Sequence, residues 1–333
     1  MVNARARSLP GRAGSALFLL AVVACRPDAE VGPSLLDGPR VLAIRSTPAE
    51  VEPGKPVSYS ALYATPEGDS SARGLEWSLC TARKPIAVSG PIALECLSPS
   101  GPGLVSLGKG ATADATMPAD GCRVFGPSPP APKAGERAAR PADPDSTGGY
   151  FQPLRVRVPE GQTEYAIGFT RLLCGPGAAT QEQSLEFAAT YRPNVNPELA
   201  GVVVNPDGDS SPLSESPDAP SALPAGDKVT LRASWAECSA DATCTGSESY
   251  PYLDPIARQL ITRREAIRVS WFASAGSFAH DRSGRTEAEA EAGSSYSDND
   301  WTAPDEAGEV RVWVVLRDDR GGVGYRSFFV NVE

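Results

Sequence analysis

Six cysteines are the first candidates for chemistry in this chain: Cys80, Cys96, Cys122, Cys174, Cys238 and Cys244. Such thiols form disulfides or bind zinc, and zinc sites usually combine Cys-x-x-Cys pairs with histidines. The chain has no Cys-x-x-Cys pair, and its one histidine is His280. We therefore predict three disulfides and no metal site. Closing the shortest loops gives Cys80–Cys96, Cys122–Cys174 and Cys238–Cys244, and the main alternative is Cys80–Cys174 with Cys96–Cys122.

Nucleophilic catalysis needs a base, and His280 is the one histidine that could supply it. It lies beside Asp281 and near Ser277 and Ser283, but no Gly-x-Ser-x-Gly turn occurs, and triad members normally converge from separate loops. A chain with 41 acidic residues contains many pairs of carboxylates by chance. Glycoside hydrolysis needs two carboxylates that face one cleft. We therefore predict a loop position for His280, no catalytic residue, no cofactor and no enzyme activity. A hydrolase with its site in the insertions is the second alternative function.

Calcium binding is suggested by Asp207-Gly-Asp209 and Asp298-Asn-Asp300, with Asp305 and Asp318-Asp319, which offer oxygen ligands in loops. Neither run has the spacing of an EF-hand loop, and Asp and Asn are common in turns. We predict no metal ligand here.

The run Glu287–Glu291 alternates glutamate and alanine. This pattern favours an exposed edge strand whose charge discourages pairing with other chains.

Aromatic rings on the surface could stack on a sugar. Tyr250, Tyr252 and Trp301 lie in segments that we expect to be loops, so they are the candidate ligand-binding residues. They make a carbohydrate-binding surface module the first alternative function. The other four tryptophans lie in predicted strands and are expected in the core or on sheet faces: Trp77, Trp235, Trp271 and Trp313.

Cys25 belongs to a different pattern. Three arginines and no acidic residue precede an apolar run at residues 16–23, and Ala24 comes just before the cysteine. This layout is typical of an export signal. Such signals have a basic start, an apolar run too short to span a bilayer, and a small residue at the cleavage site. The ending Val-Val-Ala-Cys resembles the bacterial lipobox. That resemblance implies a lipoprotein signal peptide at 1–24 and lipid attachment at Cys25.

Acylation of Cys25 would make the membrane a partner and place the protein in the cell envelope. Arg26 follows the cysteine, and it differs from the aspartate of inner-membrane retention signals, which favours the outer membrane. The chain has 31 basic and 41 acidic residues and a formal net charge of −10, so binding to nucleic acid is not expected. The other expected partner is an unknown envelope protein or a glycan.

The rest of the chain predicts an all-β fold of two tandem immunoglobulin-like β-sandwich domains with loop insertions. Residues 25–38 are polar, contain prolines and glycines and show no periodicity, which indicates a flexible tether. We assign domain 1 to residues 39–193 and domain 2 to residues 197–333. Short alternating strands between Pro, Gly and Asp turns support this fold class.

Similar segments recur in the same order in both halves. The matched pairs are Pro39–Ile44 with Pro197–Val202, Gly54–Tyr63 with Gly226–Trp235, Leu75–Trp77 with Ile267–Trp271, Thr116–Pro118 with Thr302–Pro304, Tyr165–Phe169 with Val310–Val314, and Leu185–Ala189 with Phe328–Val332. Apolar residues alternate in most of them, as in half-buried strands. The shared order indicates that one unit has been duplicated.

Each half also contains an insertion. The first, at about residues 126–149, is rich in proline and is predicted to be a mobile loop, because such a composition cannot hold a strand ladder. The second spans about residues 236–266. Within it, Asp254 and Pro255 suit the start of a short helix whose apolar face would carry Ile256, Leu260 and Ile261.

The second half resembles bacterial immunoglobulin-like modules of the PKD or cadherin-like kind. The resemblance rests on Trp271, Gly276–Phe278, Trp301–Pro304, Gly308 and the segment from Val312 to Gly322. Together with Cys25, the arrangement is similar to bacterial surface lipoproteins with tandem modules. This similarity implies a lipid-anchored envelope protein with a non-catalytic structural, adhesive or assembly role.

Overall fold

A computed structural model describes residues 32–69, 74–83, 92–98, 100–126, 131, 134–135, 147–158, 165–238 and 244–333. The export signal, Cys25 and the first part of the predicted tether lie outside the described residues. Most of the proline-rich insertion also lies outside them. Within the described ranges, no helix is long and apolar enough to cross a membrane.

The first sandwich is formed by β1 Arg40–Thr47, β2 Glu50–Val51, β3 Pro56–Thr65, β4 Gly68–Asp69, β5 Glu76–Cys80, β6 Leu104–Lys109, β7 Thr112–Thr116, β8 Gly149–Arg157 and β9 Tyr165–Leu173. One sheet has the order β1-β3-β4, with β7 also paired to β3, and the other has the order β2-β9-β8-β5-β6. Between the sheets, Tyr59, Trp77 and Leu154 form part of a buried core. A 3-10 turn at Leu94–Leu97 and the short helix α1, Gly121–Val124, lie in its loops.

Helix α2, Gln181–Thr190, precedes the second sandwich. That sandwich and its insertions contain β10 Leu199–Val204, β11 Ser211–Pro212, β12 Ser221–Leu223, β13 Lys228–Trp235, β14 Ser249–Leu253, β15 Leu260–Arg264, β16 Ile267–Ala273, β17 Ser277–Phe278, β18 Arg282–Arg285, helix α3 Glu287–Glu291, β19 Tyr296–Thr302, β20 Gly308–Arg317 and β21 Val323–Val332. Its sheets have the orders β11-β10-β13-β19-β17 and β12-β21-β20-β16-β18, and β14 and β15 form a separate hairpin.

The two sandwiches share one topology. The strand order β1-β3-β7 corresponds to β10-β13-β19, and β2-β9-β8-β5-β6 corresponds to β12-β21-β20-β16-β18. Even the parallel pair recurs, since β2 is parallel to β9 and β12 is parallel to β21. The predicted fold class, all-β with two tandem immunoglobulin-like sandwiches, is confirmed.

The last two predicted segment matches are wrong. Leu185–Ala189 lies in helix α2, which begins with a capping box between Thr180 and Gln183 and buries only Phe187 along its length. The counterpart of β20 is β8, which was not predicted and lies directly after the proline-rich insertion. The counterpart of β21 is then β9. Pro153 is accommodated within β8, where it pairs in register with Phe169.

Two other local predictions are also wrong. Asp254 does not start a helix: its Oδ1 accepts hydrogen bonds from the backbone N–H groups of Ile256 and Ala257, in the turn that joins β14 to β15. Ile256 is 93% exposed and contributes to no apolar face. The run Glu287–Glu291 is helix α3 rather than an edge strand, because Thr286 and Glu289 form a capping box at its start.

The prediction of a flexible tether is wrong for residues 34–36. Leu35 forms a parallel bridge to Ala273 of β16, and Leu36 is only 1% exposed. The Ser34 hydroxyl donates to the Asp281 carboxylate over 2.6 Å. The segment is therefore held against the second sandwich, since burial of Leu36 favours docking over free solvation.

Strand β20 has two apolar faces. Val312, Val314 and Leu316 lie in the core of the second sandwich. On the other face, Trp313 and Val315 pack in a separate buried cluster with residues of β1 and β3 from the first sandwich. The long apolar run of β20 is thus explained by burial on both sides, and its outer face joins the two sandwiches.

Candidate functional site at the junction of the sandwiches

The three disulfides are Cys80–Cys96, Cys122–Cys174 and Cys238–Cys244. This is the pairing predicted from closure of the shortest loops, and the alternative Cys80–Cys174 with Cys96–Cys122 is wrong. The first disulfide ties the 3-10 turn to β5, and the second ties α1 to the end of β9. The third closes a short loop at the start of the second insertion.

The predicted sugar-binding platform is contradicted by burial. Trp301 is 0% exposed and packs beside Phe278 in the core of the second sandwich, and Tyr250 is 3% exposed. Tyr252 is half-buried, and the guanidinium of Arg263 lies 4.7 Å from its ring centre. The prediction of a loop position for Trp301 is wrong. The sequence "DNDWTAP" resembles a loop, but Tyr296–Thr302 is strand β19.

His280 is exposed, and its backbone N–H and C=O are bonded to the side chain of Asn299. Three of the acids considered as calcium ligands have cationic partners: Asp207 and Asp298 bind Arg232, and Asp300 binds Lys228. Among the residues that the structure describes, no three His, Cys, Asp or Glu side chains are grouped as metal ligands.

Buried charges converge where α2, the following linker and the two sandwiches meet. We call this set the junction cluster: Glu50, Arg171, Tyr191, Asn194, Glu248, Glu265, Asp318 and Arg320. Burying a charge is costly unless it is paired and hydrogen-bonded. The cluster was not predicted, because its members come from separate strands, turns and the linker.

Glu50 connects the first sandwich to the linker. Its Oε1 accepts from Arg171 Nε over 3.0 Å, and both side chains are fully buried. Its Oε2 accepts from the Tyr191 hydroxyl over 2.6 Å and from the Asn194 backbone N–H over 2.8 Å. The linker is therefore built into the fold, although its sequence suggested only a short connection between domains.

Arg320 connects the second sandwich to the same place. It lies in the turn between β20 and β21, and its Nε donates to Glu265 Oε1 over 2.5 Å. Its Nη2 donates to Glu248 Oε2 over 2.9 Å, and its Nη1 donates to the backbone carbonyl of Arg192 over 2.9 Å. Tyr191 also accepts from Nη1 over 3.3 Å. One guanidinium thus joins the second insertion, the linker and the β20–β21 turn.

Asp318 holds the β20–β21 turn against the linker. Its Oδ1 accepts from the backbone N–H groups of Arg320 and Gly322, over 2.9 and 2.7 Å. Asn194 Nδ2 donates to both carboxylate oxygens, over 3.1 and 3.2 Å. Both oxygens are therefore satisfied by fixed donors.

Burial raises the pKa of several acids of this region. It raises the pKa of Asp318 to about 6, and it raises the pKa of Glu265 well above its ordinary value, with repulsion from Asp318 adding to the effect. Burial also raises the pKa of Glu248. For Arg320, burial lowers the pKa, but the nearby acids, Glu265 first among them, outweigh it and raise the pKa well above its ordinary value. Arg320 therefore stays charged.

The charges of the junction cluster are buried and paired with one another. The carboxylates around Arg320 are buried and already accept hydrogen bonds, so they lack an exposed face for a substrate. Removing one member of such a buried pair leaves an uncompensated charge, which typically costs about 3–5 kcal/mol. The cluster holds the two sandwiches, the linker and the hairpin in one arrangement.

No family model and no curated protein matches this chain. Among solved structures, the chain is similar to a nucleoside hydrolase-related hypothetical protein from Saccharophagus degradans, with 15% identity and a TM-score of 0.22 over 50% of this chain and 35% of that one. It is also similar to the Yersinia pseudotuberculosis adhesin InvE, with 10% identity and a TM-score of 0.22 over 87% of this chain and 58% of that one.

A third similar structure is the C-terminal domain of the Streptococcus agalactiae AgI/II polypeptide BspA. It has 10% identity and a TM-score of 0.24, over 86% of this chain and 99% of that one. The chain thus spans about a third and somewhat over half of the first two structures. Similarities at this level assign no function.

Proposed function

We propose that this protein is a lipid-anchored component of the bacterial cell envelope with a non-catalytic structural, adhesive or assembly role. The observation that carries the proposal is the junction, where an apolar cluster and a buried charge cluster join the two sandwiches. Two sandwiches that are fixed to each other suit a role in holding or spacing a partner. A surface lipoprotein with PKD or cadherin-like modules is the form of this proposal that fits the sequence patterns.

The covalent chemistry supports an extracytoplasmic location. Three disulfides persist in oxidising compartments and are rare in the cytosol. The pattern that ends at Cys25 adds a route for export and attachment, because two or three acyl chains hold a protein at a membrane almost permanently. Disulfides and export signal are independent features of the chain, and both favour the envelope.

The two alternative functions have less support. A carbohydrate-binding platform would need exposed rings, and Trp301 and Tyr250 are buried. A hydrolase in the insertions would need an accessible base or carboxylate pair, and Glu248 and Glu265 of the second insertion are engaged by Arg320. We therefore place the non-catalytic role first.

The location is tested by expressing the full chain in a bacterium that is fed a clickable fatty acid. Label on the wild-type chain, and its loss in Cys25→Ser, supports the proposal, with Cys238→Ser as the control that keeps Cys25. Unlabelled wild-type protein in the cytosol overturns it. The non-catalytic role is tested by assaying the purified full chain on chromogenic esters and glycosides, where activity lost in Glu265→Gln or in His280→Ala contradicts the proposal.

The mechanical role is tested with spin labels at Ser106 and Ser216, one in each sandwich. We expect a narrow distribution of distances in the wild-type chain and a broad one in Arg320→Ala, because that change removes the donor that joins the second insertion to the linker. A broad distribution in the wild-type chain would contradict a fixed junction.

A further inference from the structure

A cavity of about 240 Å³ lies beside the junction. It is bordered by β1 and β9 of the first sandwich and by the end of β20 and the start of β21 of the second. Ligand sites occur preferentially at such boundaries between domains. The space is large enough for a small molecule, because an apolar cavity of about 150 Å³ accommodates benzene.

Most of the cavity wall is apolar. Ile44 of β1, Phe151 of β8, Ile167 and Phe169 of β9 and Val323 of β21 all contribute to it. Phe151 and Phe169 meet edge to face, with ring centres 6.3 Å apart. Two aromatic rings and branched aliphatic side chains suit the flat or branched hydrocarbon part of a ligand.

Arg317 supplies the cationic part of the wall. Its Nη1 donates to the Ser270 hydroxyl over 3.1 Å, and its Nη2 donates to the Leu42 carbonyl over 2.8 Å. Burial, and then repulsion from Arg282, lowers the pKa of Arg317 to about 10, and among the described residues no acid counters that shift. A guanidinium has five N–H donors, so an anion in the cavity could bind those that these two bonds leave free.

Asp318, the other charged residue of the wall, is already occupied. Both of its oxygens accept from Asn194, and one also accepts from the backbone of Arg320 and Gly322. An incoming anion is therefore expected to lie at the Arg317 end of the cavity and to keep its hydrocarbon part against Phe151 and Phe169.

We propose that this cavity binds a small carboxylic acid with one apolar ring or branched chain, about the size of benzoate. The carboxylate accepts hydrogen bonds from Arg317, and the ring packs against Phe151 and Phe169. A charge-assisted pair between guanidinium and carboxylate is among the stronger polar contacts in proteins. The proposal does not depend on acylation of Cys25.

The test uses the full chain in detergent and titrates it with sodium benzoate by calorimetry. We expect saturable binding with a dissociation constant on the order of 1 mM, as suits a ligand of this size. Benzamide, which keeps the ring and lacks the charge, should bind at least tenfold more weakly, and acetate, which lacks the ring, should also bind at least tenfold more weakly. This comparison needs no variant.

Three variants complete the test. Arg317→Gln removes the charge and Ile167→Trp fills the cavity, and each should weaken benzoate binding at least tenfold. Arg326→Gln is the matched control, because it removes an arginine of β21 whose partner is the exposed Glu215, and it should bind like wild type. The proposal is overturned if benzoate shows no saturable binding, if benzamide binds equally well, or if Arg317→Gln folds and binds benzoate unchanged.

Discussion

The guanidinium of Arg320 donates to the carboxylate of Glu265 over 2.5 Å, and the side chains of both residues are at most 1% exposed. This pair joins the β20–β21 turn to the residue that directly follows β15. Arg320 also donates to Glu248 at the base of the hairpin formed by β14 and β15. One side chain therefore couples the β20–β21 turn to both ends of the hairpin formed by β14 and β15.

Arg320→Ala should lower the free energy of unfolding by about 3–5 kcal/mol, because it leaves Glu265 and Glu248 buried without their cation. Urea unfolding of the full chain measures the change. The control is Arg326→Ala, whose partner Glu215 is about half exposed, and it should change the free energy by at most about 1 kcal/mol. Equal effects of the two changes would show that the buried pair contributes no more than a surface pair.

Stability should depend on pH through Asp318, because burial raises the pKa of this group from 3.8 to about 6 in the folded protein. Between these values the folded state holds the proton more tightly than the unfolded state. The contribution is therefore present at low pH and is lost as the pH rises through about 6, by on the order of 2–3 kcal/mol.

The measurement compares urea unfolding of the wild-type chain and Asp318→Asn between pH 4 and pH 7. The variant cannot titrate at this position and keeps an oxygen acceptor for the backbone of Arg320 and Gly322. The free energy of unfolding of the wild type should fall relative to that of the variant as the pH rises. Parallel curves would contradict the raised pKa of Asp318.

The three disulfides should contribute unequally. Cys122–Cys174 spans 52 positions and Cys238–Cys244 spans 6, and loop-closure entropy then predicts stabilisation of about 4 kcal/mol and about 2 kcal/mol, respectively. Double serine variants of each pair, compared by thermal unfolding, measure the two contributions. Peptide mapping without reduction checks the pairing, and a Cys80–Cys174 peptide would contradict it.

Trp301→Ala should destabilise the second sandwich by about 3–5 kcal/mol, because the whole ring is buried and its removal leaves a cavity. Tyr252→Ala, which removes a half-buried ring from the hairpin, should cost less. Thermal unfolding compares the two variants. If Trp301→Ala unfolds like the wild type and loses only binding to a glycan, the ring lies at the surface and its assignment to the core is wrong.

Local patterns predicted much of each sandwich. The alternation in Gly54–Tyr63 and Gly226–Trp235 marks β3 and β13, because one face of each strand is buried. The same approach failed at Leu185–Ala189, where a capping box and the packing of Phe187 favour helix α2. Alternation of apolar and polar residues does not distinguish a strand from a short helix that buries a single residue.

By itself, the sequence determined the features that depend on neighbouring residues or on counts: the all-β class, the duplication of its first strands, and three disulfides that close the shortest loops. Only the tertiary structure decided the junction. Glu50 and Tyr191 are 141 positions apart, and Tyr191 and Arg320 are 129 positions apart. Residues so far apart in the chain form no periodic sequence pattern. Each charge can be buried only because folding brings its partner next to it.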